Sequence, residues 1–157
     1  MESNKLTLNI DKCEYIIFNP MSHKSDCEMS KNIHIEGTNL KKVEHTKILG
    51  IKFDNNVKFD EHIATVVNKL KKFIPIFYRL RDILPLDVLR MMHEQLCLPL
   101  IKHCLIVYGS GNKNSNRCLQ RIHKTLIKII HRKEKQSLEL HFYKREQYMN
   151  IASMYQY

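Results

Sequence analysis

KILGIKFDNNVKFDEHI, residues Lys47 to Ile63, changes its apolar rhythm partway along, and that change decides the fold. Up to Phe53 the apolar side chains alternate, so the spacing predicts a strand with Leu49, Ile51 and Phe53 on one face and Ile48, Gly50 and Lys52 on the other. Asp54-Asn55-Asn56 then reads as a turn. From Phe59 onward Ile63, Val66, Val67, Leu70, Phe73, Ile74 and Phe77 recur at helical spacing, which predicts a long amphipathic helix with Asp54 or Asp60 available to its free N-terminal amides. Pro75 falls inside this pattern and is expected to kink or break it.

Working back toward Met1, the chain stays strand-like. Leu6, Leu8 and Ile10 alternate, Tyr15 to Phe18 is a short run of β-formers, and Ile33 and Ile35 alternate up to a turn at Gly37. The stretch from Asn19 to Asn32 is polar and reads as a surface loop. Toward the C-terminus, Pro85 suits the first turn of a second helix through Val88, Leu89, Met92 and Leu96, with Pro99 bending or ending it. Gly109-Ser110-Gly111-Asn112 reads as a loop, a third helix is expected over about Asn116–Arg132, and a weaker one from about Leu138 to Met154. The fold class is therefore α+β: a small antiparallel sheet in residues 1–56, then a helical bundle in residues 57–157.

The third helix carries the clearest chemical signal. At about 100° per residue, Arg117, Arg121, Lys124, Lys128 and Arg132 share an arc of roughly 80°, and Leu119, Ile122, Leu126, Ile129 and Ile130 lie opposite. One face is built to pack and the other is a cationic ridge. Spaced by about 1.5 Å of rise per residue, such a ridge can follow successive phosphates of a nucleic-acid backbone. An ordinary solvated amphipathic helix is the alternative. No base-reading motif accompanies it, so any recognition is backbone-directed and tolerant of sequence.

Composition narrows the classes further. The 157 residues are 43% hydrophobic and carry a formal net charge of +10. Residues 1–56 hold eight Lys/Arg and eight Asp/Glu, whereas residues 57–157 hold eighteen against eight, so the whole excess lies in the second half. A polyanionic partner suits such a surface. The apolar runs around Leu96–Ile101 and Cys104–Tyr108 fall short of the roughly 20 residues a membrane span requires, and the N-terminus has no signal-like apolar core. An intracellular protein, nuclear or cytoplasmic, is expected. Five scattered cysteines argue against a disulfide framework. Cys97, His103, Cys104, Cys118 and His123 offer a zinc site as one reading, but they lack close-spaced ligand pairs, and small packed thiols are the other.

Together with LTLNIDKCEYIIF (Leu6–Phe18), IHIEGTNLKKVEHTKILGI (Ile33–Ile51), YRLRDILPLDVLRMMHEQLCLPLIKHCLIVYG (Tyr78–Gly109) and CLQRIHKTLIKIIHR (Cys118–Arg132), the opening stretch resembles the end of the palm and the thumb of a reverse transcriptase from a non-LTR, LINE-type (jockey-like) retrotransposon. The resemblance implies an RNA-directed DNA polymerase that uses Mg²⁺ and an RNA/DNA template-primer duplex. It implies a primer-grip-like role for Leu49, Gly50 and Ile51, and duplex contacts from Lys69, Lys72 and Arg79 on the thumb-like helix, with Lys71 and Arg81 beside them. Lys12 falls on the lysine of the family's Asn-x-x-Lys-Thr element (Asn9, Asp11, Lys12, Cys13), where it is a general-acid candidate. The family's metal-holding Asp pair has no counterpart, because no Asp-Asp occurs in the chain. The expectation is thus a polymerase fragment with no catalytic residue set, no cofactor of its own, no metal site and no polymerase activity alone. The alternative is a catalytically inert, sequence-nonspecific nucleic-acid-binding helical protein. Self-association through the surface where the missing palm would pack is a further expectation. Three positions depart from the family pattern: Cys13 replaces threonine, Pro75 interrupts a helix, and Tyr108 precedes Gly109 where tryptophan is common. His62, which follows the acidic helix start, reads as a packed or capping residue.

Overall fold

The computed structural model describes residues 9–19, 33–35 and 37–131. The chain is mixed α+β and divides into two compact units, residues 1–58 and 59–157.

In the first unit β1 (Glu14–Tyr15) pairs in parallel with β4 (Lys41–Lys42), β2 (His34–Ile35) pairs antiparallel with β3 (Thr38–Asn39), and β5 (His45–Ile48) pairs antiparallel with β6 (Ile51–Asp54). The described strands therefore form three two-stranded ladders, one of them parallel, where a single antiparallel sheet was expected. Backbone hydrogen bonds outside the ladders add to them: Val43 N–H donates to Tyr15 C=O at 2.9 Å, Asn19 N–H to Asn55 C=O at 2.8 Å, and Asn55 N–H to Glu44 C=O at 3.0 Å. Ile10, expected on a strand, instead begins a 3₁₀ turn over Ile10–Lys12. That turn is closed by Cys13, whose N–H donates to Ile10 C=O at 2.9 Å and whose thiol donates to Asn9 C=O at 3.2 Å. Leu6, Leu8 and the loop residues 20–32 lie outside the described residues, as does the helix expected from Leu138 to Met154.

The strand expected to run unbroken from Ile48 to Phe53 is two strands joined by Leu49–Gly50. Ile48 pairs with Ile51, Lys47 with Lys52, Thr46 with Phe53 and His45 with Asp54. Both central residues have positive φ, +50° at Leu49 and +89° at Gly50, as a type I′ hairpin turn requires. Glycine reaches this conformation freely, whereas a leucine there costs about 1–2 kcal/mol. Leu49 thus leaves the face it was expected to share with Ile51 and Phe53: Ile51 is buried, and Leu49 is 86% exposed at the tip.

The second unit is helical. Its first helix, α1 (Asp60–Lys71), opens at Phe59, a buried residue in the left-handed region with φ +57°. Neither acidic candidate caps it. Asp54 accepts the N–H of Lys58 at 3.0 Å, and the Asp60 carboxylate accepts from Asn112 Nδ2 at 3.2 Å and from the Ser115 hydroxyl. Ile63, Val66, Val67 and Leu70 are buried as the periodicity requires, and so is His62, whose ring meets Tyr108 edge-on at 4.9 Å. The helix stops at Lys72, and α2 (Phe73–Leu80) follows. The break precedes Pro75 because the proline ring would strike the carbonyl of Lys71, four residues back, in a continuous helix. Phe77 is buried in α2, while Phe73 and Ile74 are half-buried.

Pro85 is extended (φ −66°, ψ 154°) and sits just before α3 (Leu86–Met92) instead of inside its first turn. A π-helical turn, His93–Cys97, then leads into α4 (Leu98–Lys102). The wider turn leaves room for the Pro99 ring, so the proline ends neither helix. It also re-phases the buried side. Leu89, His93, Cys97, Ile101 and Leu105, four residues apart, are all buried, and Leu96 turns outward at 44% exposure, away from the apolar face expected of it. Cys104 has φ +56° and precedes α5 (Leu105–Tyr108), where the buried Tyr108 donates its hydroxyl to Ile101 C=O. The last described helix, α6 (Lys113–Ile130), packs against α1, α2 and α3.

Two histidines sit inside this unit. His93 of the π turn stacks on His123 of α6 with ring centroids 5.2 Å apart and planes 10° apart, and both are buried. Burial pushes each imidazole down from 6.5 to about 4, with repulsion from His123 and then His131 adding to the effect at His93. Both rings are therefore neutral in the fold at pH 7. The unfolded chain takes up protons near 6.5 and the folded chain only near 4, so folding stability is unaffected above pH 6.5 and declines as pH falls from 6.5 to 4. Each ring contributes about 3 kcal/mol at full effect. Urea-unfolding midpoints measured from pH 7.5 to 4.5 are expected to drop below pH 6.5, and His123→Phe to remove more than half of that drop, since it also removes the repulsion at His93. A midpoint level across this range would show that the rings are not held neutral.

Candidate nucleic-acid interface

Asn112 starts α6 by accepting the Asn114 N–H on its side-chain oxygen at 3.0 Å, a regular N-cap. The helix therefore begins three residues earlier than Asn116, the start expected from sequence. Asn116 itself lies within the first turns and donates from Nδ2 to Gly109 C=O at 2.9 Å. Leu119, Leu126, Ile127, Ile129 and Ile130 are buried with His123, and Ile122 is half-buried. Opposite them Arg117, Arg121, Lys124 and Lys128 are all exposed. Arg132 lies outside the described residues.

The earlier start adds a residue that the sequence reading missed. Lys113 is helical and exposed, and at about 100° per residue it falls on the same roughly 80° arc as Arg117, Arg121, Lys124 and Lys128. Asn112 two residues after Gly-Ser was the available signal, as a cap residue following a turn. From Lys113 to Lys128 the ridge spans about 22 Å along the axis. No Asp or Glu occurs between Lys113 and Ile130, so no acidic side chain of α6 neutralises it. Like charges at i,i+4 (Lys113/Arg117, Arg117/Arg121, Lys124/Lys128) each cost the helix about 0.2–0.5 kcal/mol. Lys113 also stands in the first turn, where the helix dipole disfavours a cation. A bound polyanion offsets these terms by its attraction to each cation.

The other candidates are distributed differently. Lys69 on α1 and Lys72 at the α1–α2 break are exposed, as are Lys71 and, in the last turn of α2, Arg79. They stand on the two helices that support α6, not on the ridge itself. Arg81 is otherwise engaged: its guanidinium lies 4.6 Å from the Tyr78 ring centroid and its Nε meets Asp82 at 3.4 Å. Leu49 and Gly50 form the β5–β6 turn and Ile51 is buried beneath it.

Among the described residues no group of three His, Cys, Asp or Glu side chains is placed to hold a metal ion; Lys12 is exposed at the end of its 3₁₀ turn, and the sequence holds no Asp-Asp pair. Cys97 is buried, and burial raises its thiol to about 12, while Cys118 is exposed on α6. No helix among the described residues is long and apolar enough to cross a membrane.

What α6 offers is electrostatic: a row of exposed cations opposite a packed apolar face. If Lys113 belongs to it, Lys113→Gln and Lys124→Gln are each expected to lower the slope of log K against log salt for duplex binding by about one. An unchanged slope would leave Lys113 outside the contact. Compared with protein-family models, with curated proteins and with solved structures, the chain matches none.

Proposed function

We propose that this chain is the duplex-holding part of a reverse transcriptase of the non-LTR retrotransposon type, binding an RNA/DNA template-primer through its phosphates and carrying out no polymerisation by itself. The observation that carries the binding is the acid-free α6, whose exposed cations share one arc opposite a buried apolar face. The family assignment is supported by the motif residues between Leu6 and Arg132 and by an α+β chain whose two-residue hairpin at Leu49–Gly50 comes just before the long helix. Phosphate contacts set affinity and not sequence choice, so the binding is nonspecific in sequence. Such a partner places the protein inside the cell, in nucleus or cytoplasm.

The ridge also supports a second reading, an inert nucleic-acid-binding protein, since it needs nothing from the first unit. Preference for a primer-template over a blunt duplex of equal length separates the two.

With about four or five phosphates neutralised, log K for a duplex is expected to fall with log salt at a slope of about −4. Replacing Arg121, Lys124 and Lys128 by Glu is expected to abolish the gel shift at about 0.1 M salt, where screening still leaves contact-range charges effective. Equal binding by the wild type and the triple variant would reduce the ridge to a solvated face. In primer extension with Mg²⁺ and dNTPs, the purified chain is expected to give no product above a heat-inactivated control, because the Asp-Asp pair that positions the ions in the family is missing from the sequence. Product above that control would overturn the inactive assignment.

A further inference from the structure

We propose that the β5–β6 hairpin is an apolar wedge that inserts Leu49 at a base step of a nucleic-acid duplex while Lys47 and Lys52 meet the flanking phosphates; this rests on reading the chain as nucleic-acid-binding. Three features of the hairpin converge on it. Leu49 is 86% exposed at the outermost point of the turn, with Ile48 48% exposed directly below it. Its backbone sits at φ +50°, a conformation that asparagine or glycine adopts readily and leucine does not. Lys47 and Lys52 are registered opposite each other two pairs below the tip, beyond Ile48–Ile51, which places two basic side chains across the ladder from one another.

The exposed leucine and its positive φ are both unfavourable for the hairpin in water, and a nucleic-acid duplex offers a place to the apolar tip and to the basic side chains behind it together. Apolar side chains, leucine among them, wedge between base pairs and unstack them. Lysines set two residue pairs back from such a wedge have side chains long enough to reach the phosphates on either side of the opened step. A lipid surface is the poorer match. The tip offers one leucine and one half-exposed isoleucine, the thickness of a single inserted side chain, whereas stable residence on a bilayer needs a broader apolar face or an acyl chain. The turn geometry also serves the wedge, because a two-residue loop holds Leu49 on a ladder fixed by paired strands and loses little freedom on insertion.

The test uses the whole chain and a duplex carrying 2-aminopurine at an internal step, whose fluorescence rises when the base is unstacked. Wild type is expected to raise the signal and Leu49→Asn to leave it at the level of the free duplex. Asparagine suits positive φ, so this variant keeps the turn, and a urea midpoint at or above wild type confirms that the fold is intact. Lys47→Gln with Lys52→Gln is expected to weaken the signal and make it less salt-dependent. A gel shift by wild type without any fluorescence rise, or an equal rise with Leu49→Asn, overturns the wedge while leaving duplex binding in place. Absence of the gel shift removes both readings at once. Co-sedimentation with phosphatidylserine/phosphatidylcholine vesicles that is lost in Leu49→Asn, with no change in aminopurine fluorescence, overturns the wedge in favour of a lipid surface.

Discussion

Helix α6 has only one face that can be buried, and the second unit is arranged around that constraint. Leu119, Leu126, Ile127, Ile129 and Ile130 need apolar partners, and α1, α2 and α3 provide them. Burying each such side chain is worth about 1.5–3 kcal/mol, against a few tenths for each like-charge pair on the opposite side. Packing therefore wins by a wide margin. The helix can carry a row of cations without melting, and the row points outward because its back is fixed. The Asp60 carboxylate, bonded to Asn112 and Ser115, joins the start of α1 to the start of α6 across more than fifty residues of chain.

The same helix separates two kinds of basic group by depth. His123 lies on the buried side and is held neutral, while Lys and Arg on the other side stand exposed to solvent. A histidine is the one basic side chain that can be stripped of its charge near neutral pH at modest cost. Its stacking on His93 couples α6 to the π turn by shape and dispersion, leaving the ridge's electrostatics to the exposed residues alone.

The elements with strong periodicity were legible in the sequence: α1 through Ile63, Val66, Val67 and Leu70, and α6 through its opposed arcs. What escaped was set by backbone conformations that residue identity does not announce. Leu49 looks like a strand residue and is a turn residue, because the hairpin geometry overrides the preference of leucine for negative φ. Leu96 fits a 3.6-residue pattern and is exposed, because the π turn changes the phase. The break at Lys72 comes before its cause, Pro75, by the reach of one proline ring. Lys113 was hidden by a polar stretch, Asn112 to Asn116, that looks like loop until the cap bond at Asn112 is seen. The parallel pairing of β1 with β4 had no local signature at all, since strand partners distant in the chain are chosen by the whole unit.

The π turn between Met92 and Leu98 has a consequence for how this chain can change length. A π turn is what a helix looks like when it carries one residue more than its neighbours require, with the surplus absorbed in a local bulge. Residues Glu94, Gln95 and Leu96 all face solvent there, so losing any one of them lets the bulge relax toward an ordinary turn while Leu89 and Ile101 stay on the inner side. The helix thus holds a point of give where a codon can vanish, in a segment where a deletion on either side would rotate the core out of register.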